Sequence, residues 1–201
     1  MGTDIHGRLQ RRWNPESAYA DIGPIEDERN YAVFAMLAGV RNGFGFAGCK
    51  THEPLVPISE PRGLPDDNPK YEGEDADWMF GDHSFSWVTL RELLDWPGWG
   101  QELHMTGILD REEYERVMRE GGTPKSWCGG IGGPGVVQTT HESIQAGTAP
   151  ENWTCAQYEW RTPFRDRVRL FRMWLDYIEA KHGWELESDP GAIRLVFGFD
   201  S

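Results

Sequence analysis

Residues 193–199, IRLVFGF, place Ile193, Leu195, Phe197 and Phe199 on one face, the period-two signature of a β-strand. Residues 3–13, TDIHGRLQRRW, alternate in the same way. Asp4, His6, Arg8 and Gln10 fall on one side of that strand, and Ile5, Gly7 and Leu9 on the other. Strands thus stand at both ends of the chain. Between them, 164–182 reads as the strongest helix. Val168, Phe171, Leu175 and Ile178 form its stripe, widened by Leu170, Trp174 and Tyr177, while Arg165, Arg169, Arg172, Asp176 and Glu179 form its polar face.

The remaining runs fill in the class. Residues 29–40, RNYAVFAMLAGV, read as a buried helix with Asp27 as N-cap and Gly39 near its end. Thr89 caps a short helix, TLRELLDW, and Asp110 begins a charged one, DREEYERVMRE. ELHMTGIL reads as a strand or turn, and VVQTTHESI and WTCAQYEWRT as two further strands. Residues 121–135 are a glycine-rich loop that fits neither GxGxxG nor GxxxxGK[ST]. These readings predict an α+β fold, a mixed or antiparallel sheet with packed helices. No repeat or linker divides the chain, so 1–201 is expected to be a single domain with one long ordered functional loop, 41–87.

Composition narrows the function. With 38% hydrophobic and 26% charged residues over 201 positions, the chain is globular. Its formal charge of −13 repels polyanions, which argues against duplex nucleic acid but leaves room for a small anion held by local arginines. Cys49, Cys128 and Cys155 are odd in number and widely spaced, giving neither a disulfide framework nor a cysteine zinc site. No apolar run approaches the roughly 18 residues of a membrane span. The N-terminus has no signal-peptide core, so the expected location is the cytoplasm.

Several segments together resemble a known group. MGTDIH, RNYAVFAMLAGVRNG, the PRG turn, DHSFSWVTLREL and RLVFGFDS are similar to a family of uncharacterised phage and prophage proteins that begin MGCDIH and carry RNY, VRN, PRG and HSHSW-type segments. The likeness runs from the first strand to the last. Thr3 stands where the family has Cys, and Phe85 where it often has the second His. The resemblance implies a phage accessory protein of the infected bacterial cytoplasm. Such proteins act against host defence by capturing nucleotide signals or by blocking a defence protein.

Candidate chemistry gathers in two groups. Asp4 and His6, two apart on a strand, point the same way, and Asp82 with His83 can complete a divalent-metal site or acid–base pair; Asp4, His6 and His83 are then the catalytic candidates. Arg29, Arg41, Arg62 and the arginines of the helix at 164–182 suit forked hydrogen bonds to phosphate, and Trp78, Phe85 and Trp87 offer stacking surfaces for a base. Phe80 lies in the same loop, and the acidic run Glu72, Glu74, Asp75 and Asp77 reads as a solvated segment. His104 and His141 each open an H-x-[ST] pair of the kind that grips phosphate in two-histidine phosphodiesterases. Three readings follow: a binding module that sequesters a small anionic, nucleotide-like ligand, in a homo-oligomer; a metal-dependent hydrolase of such a ligand; or an acidic inhibitor of a host defence protein.

Overall fold

The computed structural model describes residues 2–25, 29–72 and 78–201, without the side chain of Phe46. In chain order its elements are β1 (Asp4–Arg11), β2 (Ala20–Pro24), α1 (Tyr31–Ala38), β3 (His83–Thr89), α2 (Leu90–Asp95), β4 (Glu102–Asp110), α3 (Arg111–Glu120), β5 (Gln138–Thr140), α4 (His141–Gln145), β6 (Cys155–Pro163), α5 (Phe164–Arg167), α6 (Arg169–His182) and β7 (Ile193–Asp200). The fold is α+β, and its strands divide between two sheets. One is antiparallel with order β2-β1-β7-β3; the other, β4-β6-β5, is mixed, because β5 runs parallel to β6.

The alternation of both terminal strands decides the first sheet. β1 pairs with β7 from Asp4↔Asp200 to Arg11↔Ile193, which puts Ile5 and Leu9 beside Phe199 and Leu195 on the inner face. α1 and α6 close over that face. The rings of Phe34 and Phe199 meet edge-on at 5.1 Å, and Phe171, Leu175 and Ile178 are buried in the same core. Leu103, Met105 and Trp160 carry this core into the second sheet. A smaller cluster of Leu109, Tyr114, Val117, Trp153 and Ala156 lies under α3.

The outer face of the first sheet is polar, and the long loop covers it. Gln10 donates to Asn68 Oδ1 at 2.6 Å, and Arg194 donates to Gln10 Oε1 at 2.9 Å and to Asp67 Oδ1 at 2.7 Å. Phe80 closes this cover against Gly198. A Cβ at Gly198 would overlap the Phe80 carbonyl oxygen, so glycine in the central strand is what lets the loop backbone approach.

Five expectations are corrected. β2 was not foreseen, because ADIGP carries Gly and Pro and pairs with β1 across a bulge. α1 is shorter than 29–40 and is capped by Asn30, whose Oδ1 accepts from the Ala32 N–H at 3.1 Å; Asp27 lies outside the described residues. The loop ends at Asp82, since 83–89 is β3. VVQTTHESI is a three-residue strand followed by α4, capped by Thr140. The helix at 164–182 is broken into α5 and α6 at Val168, whose φ of −122° and ψ of 32° leave helical geometry. Asn30 Nδ2 donates to the Arg167 carbonyl at 2.7 Å, so the cap of one helix ties down the break in the other.

Gly198→Ala is expected to destabilise the protein by about 1–3 kcal/mol, because the obstructing atom is backbone and cannot rotate away. Gly100→Ala, which meets nothing within 4 Å, should stay within about 0.5 kcal/mol of the parent. Urea unfolding of both variants checks this, and equal effects would contradict it.

Candidate functional site

The first expected constellation does not converge. Asp4 receives both arms of the Arg29 guanidinium, with Nε at 2.6 Å from Oδ1, and that pairing holds its carboxyl below the usual range. His6 Nε2 lies 3.0 Å from Asp200 Oδ2, across the sheet. His83 belongs to another network: its Nε2 is 3.0 Å from Ser201 Oγ, its Nδ1 2.9 Å from Ser84 Oγ, and its ring stacks on Phe199. Asp82 is exposed. Among the described residues no three His, Cys, Asp or Glu side chains gather into a metal-holding set, so Asp4, His6, Asp82 and His83 are corrected to strand-pairing and terminus-pinning roles.

Thr3 takes part in that pinning. It is buried, its Oγ1 is 3.2 Å from Ser201 Oγ, and it accepts from Arg41 Nε at 2.9 Å. Arg41 also lies over the Tyr31 ring.

The expected arginine and aromatic group is divided. Arg62 and Trp87 line a cavity of about 590 Å³ together with Arg12, Tyr19 and Arg194. The cations there are already matched. Arg62 forks onto Glu92 at 2.6 and 3.1 Å, Arg12 onto Asp189 at 2.7 and 2.8 Å, and Arg194 bonds to Asp67 and Gln10. Phe85 packs against Gly198. Trp78 is 66% exposed and stands apart from both. The two H-x-[ST] histidines have separate partners: His104 pairs with Glu159, and His141 with the Tyr114 hydroxyl at 2.8 Å. Of the acidic run only Glu72 lies within the described residues.

A second cavity, of about 350 Å³, has a different character. It lies where α1 and α6 both begin, and Arg29, Asn30, Tyr31, Thr51, His52, Trp127, Asp166, Arg167 and Arg169 are among its lining residues. Five buried side-chain polar atoms lack a hydrogen-bond partner among the described residues, and three of them belong to this lining: Tyr31 Oη, His52 Nε2 and Arg167 Nε. Each such atom costs about 1–3 kcal/mol, so three in one place form a large debit against a stability of about 5–15 kcal/mol.

Local structure explains how they arrive there. The break at Val168 ends α5 at Arg167 and turns its guanidinium over the Trp127 ring, 5.2 Å from the centroid. No carboxylate pairs with Arg167 among the described residues, and burial pushes its pKa down. His52 is 3% exposed and sits on a single bridge to Met105 of β4. Its Nδ1 lies 2.7 Å from the Glu53 carbonyl oxygen, which only accepts. Nδ1 therefore carries the hydrogen, and Nε2 of the neutral ring presents a lone pair. Burial first, and Arg167 among lesser causes, lower the pKa of His52 and keep the ring neutral. The start of α6 has no side-chain cap.

Family models, curated proteins and solved structures give no match to this chain. The chemistry of the cavity therefore stands on its own residues. Its lining joins a half-buried Arg167, which has no carboxylate partner among the described residues, to the starts of two helices, a tryptophan ring and the Asp166 carboxylate.

Of these residues, Arg29 was named among the sequence candidates, and Arg167 and Arg169 fall among the last-helix arginines also offered for an anion. Arg167 carried a usable signal: it stands four positions before Phe171, in line with the apolar stripe of the helix, so a charge falls where burial is expected. His52 and Tyr31 carried none, since a lone histidine in a loop and a tyrosine opening a helix are ordinary.

The Arg62–Glu92 pair generates a pH prediction. Hydrogen bonds from Arg62, and then from Thr89, hold the Glu92 carboxyl at about 2 against an ordinary 4.5. A depressed folded-state pKa contributes stability above the unfolded value, and that contribution disappears as pH falls from about 4.5 towards 2. The pair is about a third exposed, and screening reduces its worth to on the order of 1 kcal/mol. Arg62→Gln should cost that much at pH 7 and progressively less at pH 4 and pH 3 in urea melts. A pH-independent difference would refute the assignment.

Proposed function

We propose that this protein captures a small anionic, nucleotide-like ligand in the cavity between the starts of α1 and α6 and holds it without turnover. The oxyanion meets Arg167 and the helix N-termini, and the Trp127 ring that carries the Arg167 guanidinium gives the remainder of the ligand an apolar wall. The observation that carries the reading is that three residues lining one cavity, Tyr31, His52 and Arg167, each hold a buried polar atom without a partner among the described residues, while the arginines of two other cavities, Arg62, Arg12 and Arg194 in one and Arg116 and Arg119 in the other, are paired with carboxylates. The volume, near the lower end of ligand pockets of about 300–1,000 Å³, suits a mononucleotide or something smaller. The resemblance to phage and prophage proteins supports an accessory role in an infected bacterial cell, with capture of a nucleotide-like signal as the counter-defence act.

Capture makes a prediction that a structural role for Arg167 does not. A half-buried cation with an unsatisfied Nε destabilises the empty protein, so Arg167→Met should raise the unfolding free energy by about 1 kcal/mol while weakening ligand binding at least tenfold. Incubation with linear and cyclic nucleotides, heat release and mass spectrometry of the supernatant should return the ligand chemically intact from the parent and not from the variant. An Arg167→Met protein that is less stable, or that retains the same ligand equally well, would overturn the reading, as would recovery of an altered ligand.

A further inference from the structure

We infer that the outward face of α6 is a self-association surface, on which a second copy of this chain packs its own α6 antiparallel about a two-fold axis. The inference goes beyond the ligand reading and does not depend on it.

α6 has two apolar faces. Phe171, Leu175 and Ile178 are buried in the core. Leu170, Met173 and Tyr177 are 48%, 59% and 59% exposed, and Trp184, in the 3-10 turn Gly183–Glu187 that follows, is 68% exposed. Leu170 and Tyr177, expected to widen the buried stripe, belong instead to the outer face. With Ala180, also exposed, these positions step by three and four along the chain, the heptad seam that one helix presents to another. At about 3.6 residues per turn the seam lies roughly opposite Phe171 and Leu175, so the core does not use it. The four large side chains leave on the order of 500 Å² accessible on one face, the size at which an exposed patch marks an interaction site. Two such faces brought together with their polar flanks bury more than about 1,000 Å² in total, which meets the threshold for a specific interface.

The charges choose the occupant. Arg169, Arg172, Asp176 and Glu179 follow one another along a single flank of the seam, two cations and then two carboxylates. Among the described residues the exposed Arg169 has no carboxylate partner, and Glu179 meets only Arg172, at 3.9 Å. A two-fold axis turns this flank onto the same flank of the second copy and reverses its direction. Centred at Trp174, the axis sets Arg169 beside Glu179 of the second copy and Arg172 beside its Asp176, because both pairs share that midpoint. A parallel pairing would align like charges instead. A partner of uniform charge would meet half of the flank with repulsion. The pattern is therefore complementary to itself, as an isologous interface requires. The same axis places Leu170 between Tyr177 and Ala180 of the second copy, and Met173 beside its own symmetry mate and that Tyr177, where a thioether gains from an aromatic neighbour.

The test is sedimentation equilibrium of the whole chain without added ligand. The parent should form a dimer with a Kd on the order of 1–10 μM. Met173→Glu changes an exposed side chain, so its urea midpoint should match the parent's while the dimer weakens at least a hundredfold. Arg169→Glu should weaken the dimer about tenfold, and the double variant with Glu179→Arg should return to within about threefold of the parent. Cross-linking reads the direction. With Cys49 and Cys128 replaced by serine, Met173→Cys should join to its symmetry mate under a mild copper oxidant. Ala180→Cys should not, since antiparallel helices hold it about 18 Å from its mate along the axis. A chain that stays monomeric at about 100 μM would overturn the inference. So would a dimer that Met173→Glu leaves intact, or cross-linking at both cysteine positions, which denotes a parallel pair. A monomer that binds vesicles of anionic lipid, and loses them in Met173→Glu, would overturn it too and give the face to a membrane surface.

Discussion

The structure depends on the last strand entering between the first strand and β3. β7 is buried along seven of its eight residues and forms hydrogen-bonded ladders on both sides. Its inner face supplies the phenylalanines that α1 packs against, and its outer face supplies the glycine that admits the loop backbone. The Asp4 N–H donates to Asp200 Oδ1 across a separation of 196 residues, so the main sheet is complete only when the two ends of the chain have met. Such long-range pairing gains nothing until loop closure has been met, which places this fold among the slower ones.

Ion pairs then fasten the frame that β7 organises. Arg8 forks onto Asp21, Arg12 onto Asp189, and Arg11 reaches Glu185, which also lies 3.1 Å from His182 at the end of α6. The arginines of β1, and Arg12 just beyond it, are thereby satisfied at fixed positions along the sheet. This is how an acidic protein absorbs most of its cations, and it gives the exceptions their meaning. Arg167 is half-buried, faces an aromatic ring and has no carboxylate partner among the described residues. Its position follows from Asn30, which caps α1 with its oxygen and holds the Arg167 carbonyl with its nitrogen. One side chain therefore places both helix starts around the same cavity, and the site is rigid because α1 is buried on nearly every side.

Much of the fold was legible because its signals are local. Alternation marked β1 and β7, Thr89 and Asp110 marked the starts of α2 and α3 through the caps they form, and Gly39 marked the end of α1 with its φ of 67°. The split into two sheets was not legible, since strand count and strand pairing are different kinds of information. The candidate site was legible only in its chemical kind. Arginines and aromatics around a small anion were anticipated, but the residues named for it were mostly those whose motifs stood out. Arg62 and Trp87 do share a cavity, yet Glu92 neutralises the arginine through a capping box that reads equally well as helix chemistry.

The sequence by itself determined the α+β class, the two terminal strands and their faces, the caps of the short helices and the acidic balance that limits the choice of partners. Each of these rests on residues within a few positions of one another, or on composition alone. Only the tertiary structure decided which arginine of this cavity lacks a carboxylate partner among the described residues, where the helix at 164–182 breaks, and which nitrogen of His52 is left without a partner. Those outcomes rest on Asn30 meeting Arg167 across 137 residues and on His52 being enclosed beside them. Whether a polar group is satisfied depends on every neighbour that folding brings within hydrogen-bond reach, and a linear pattern does not contain that count.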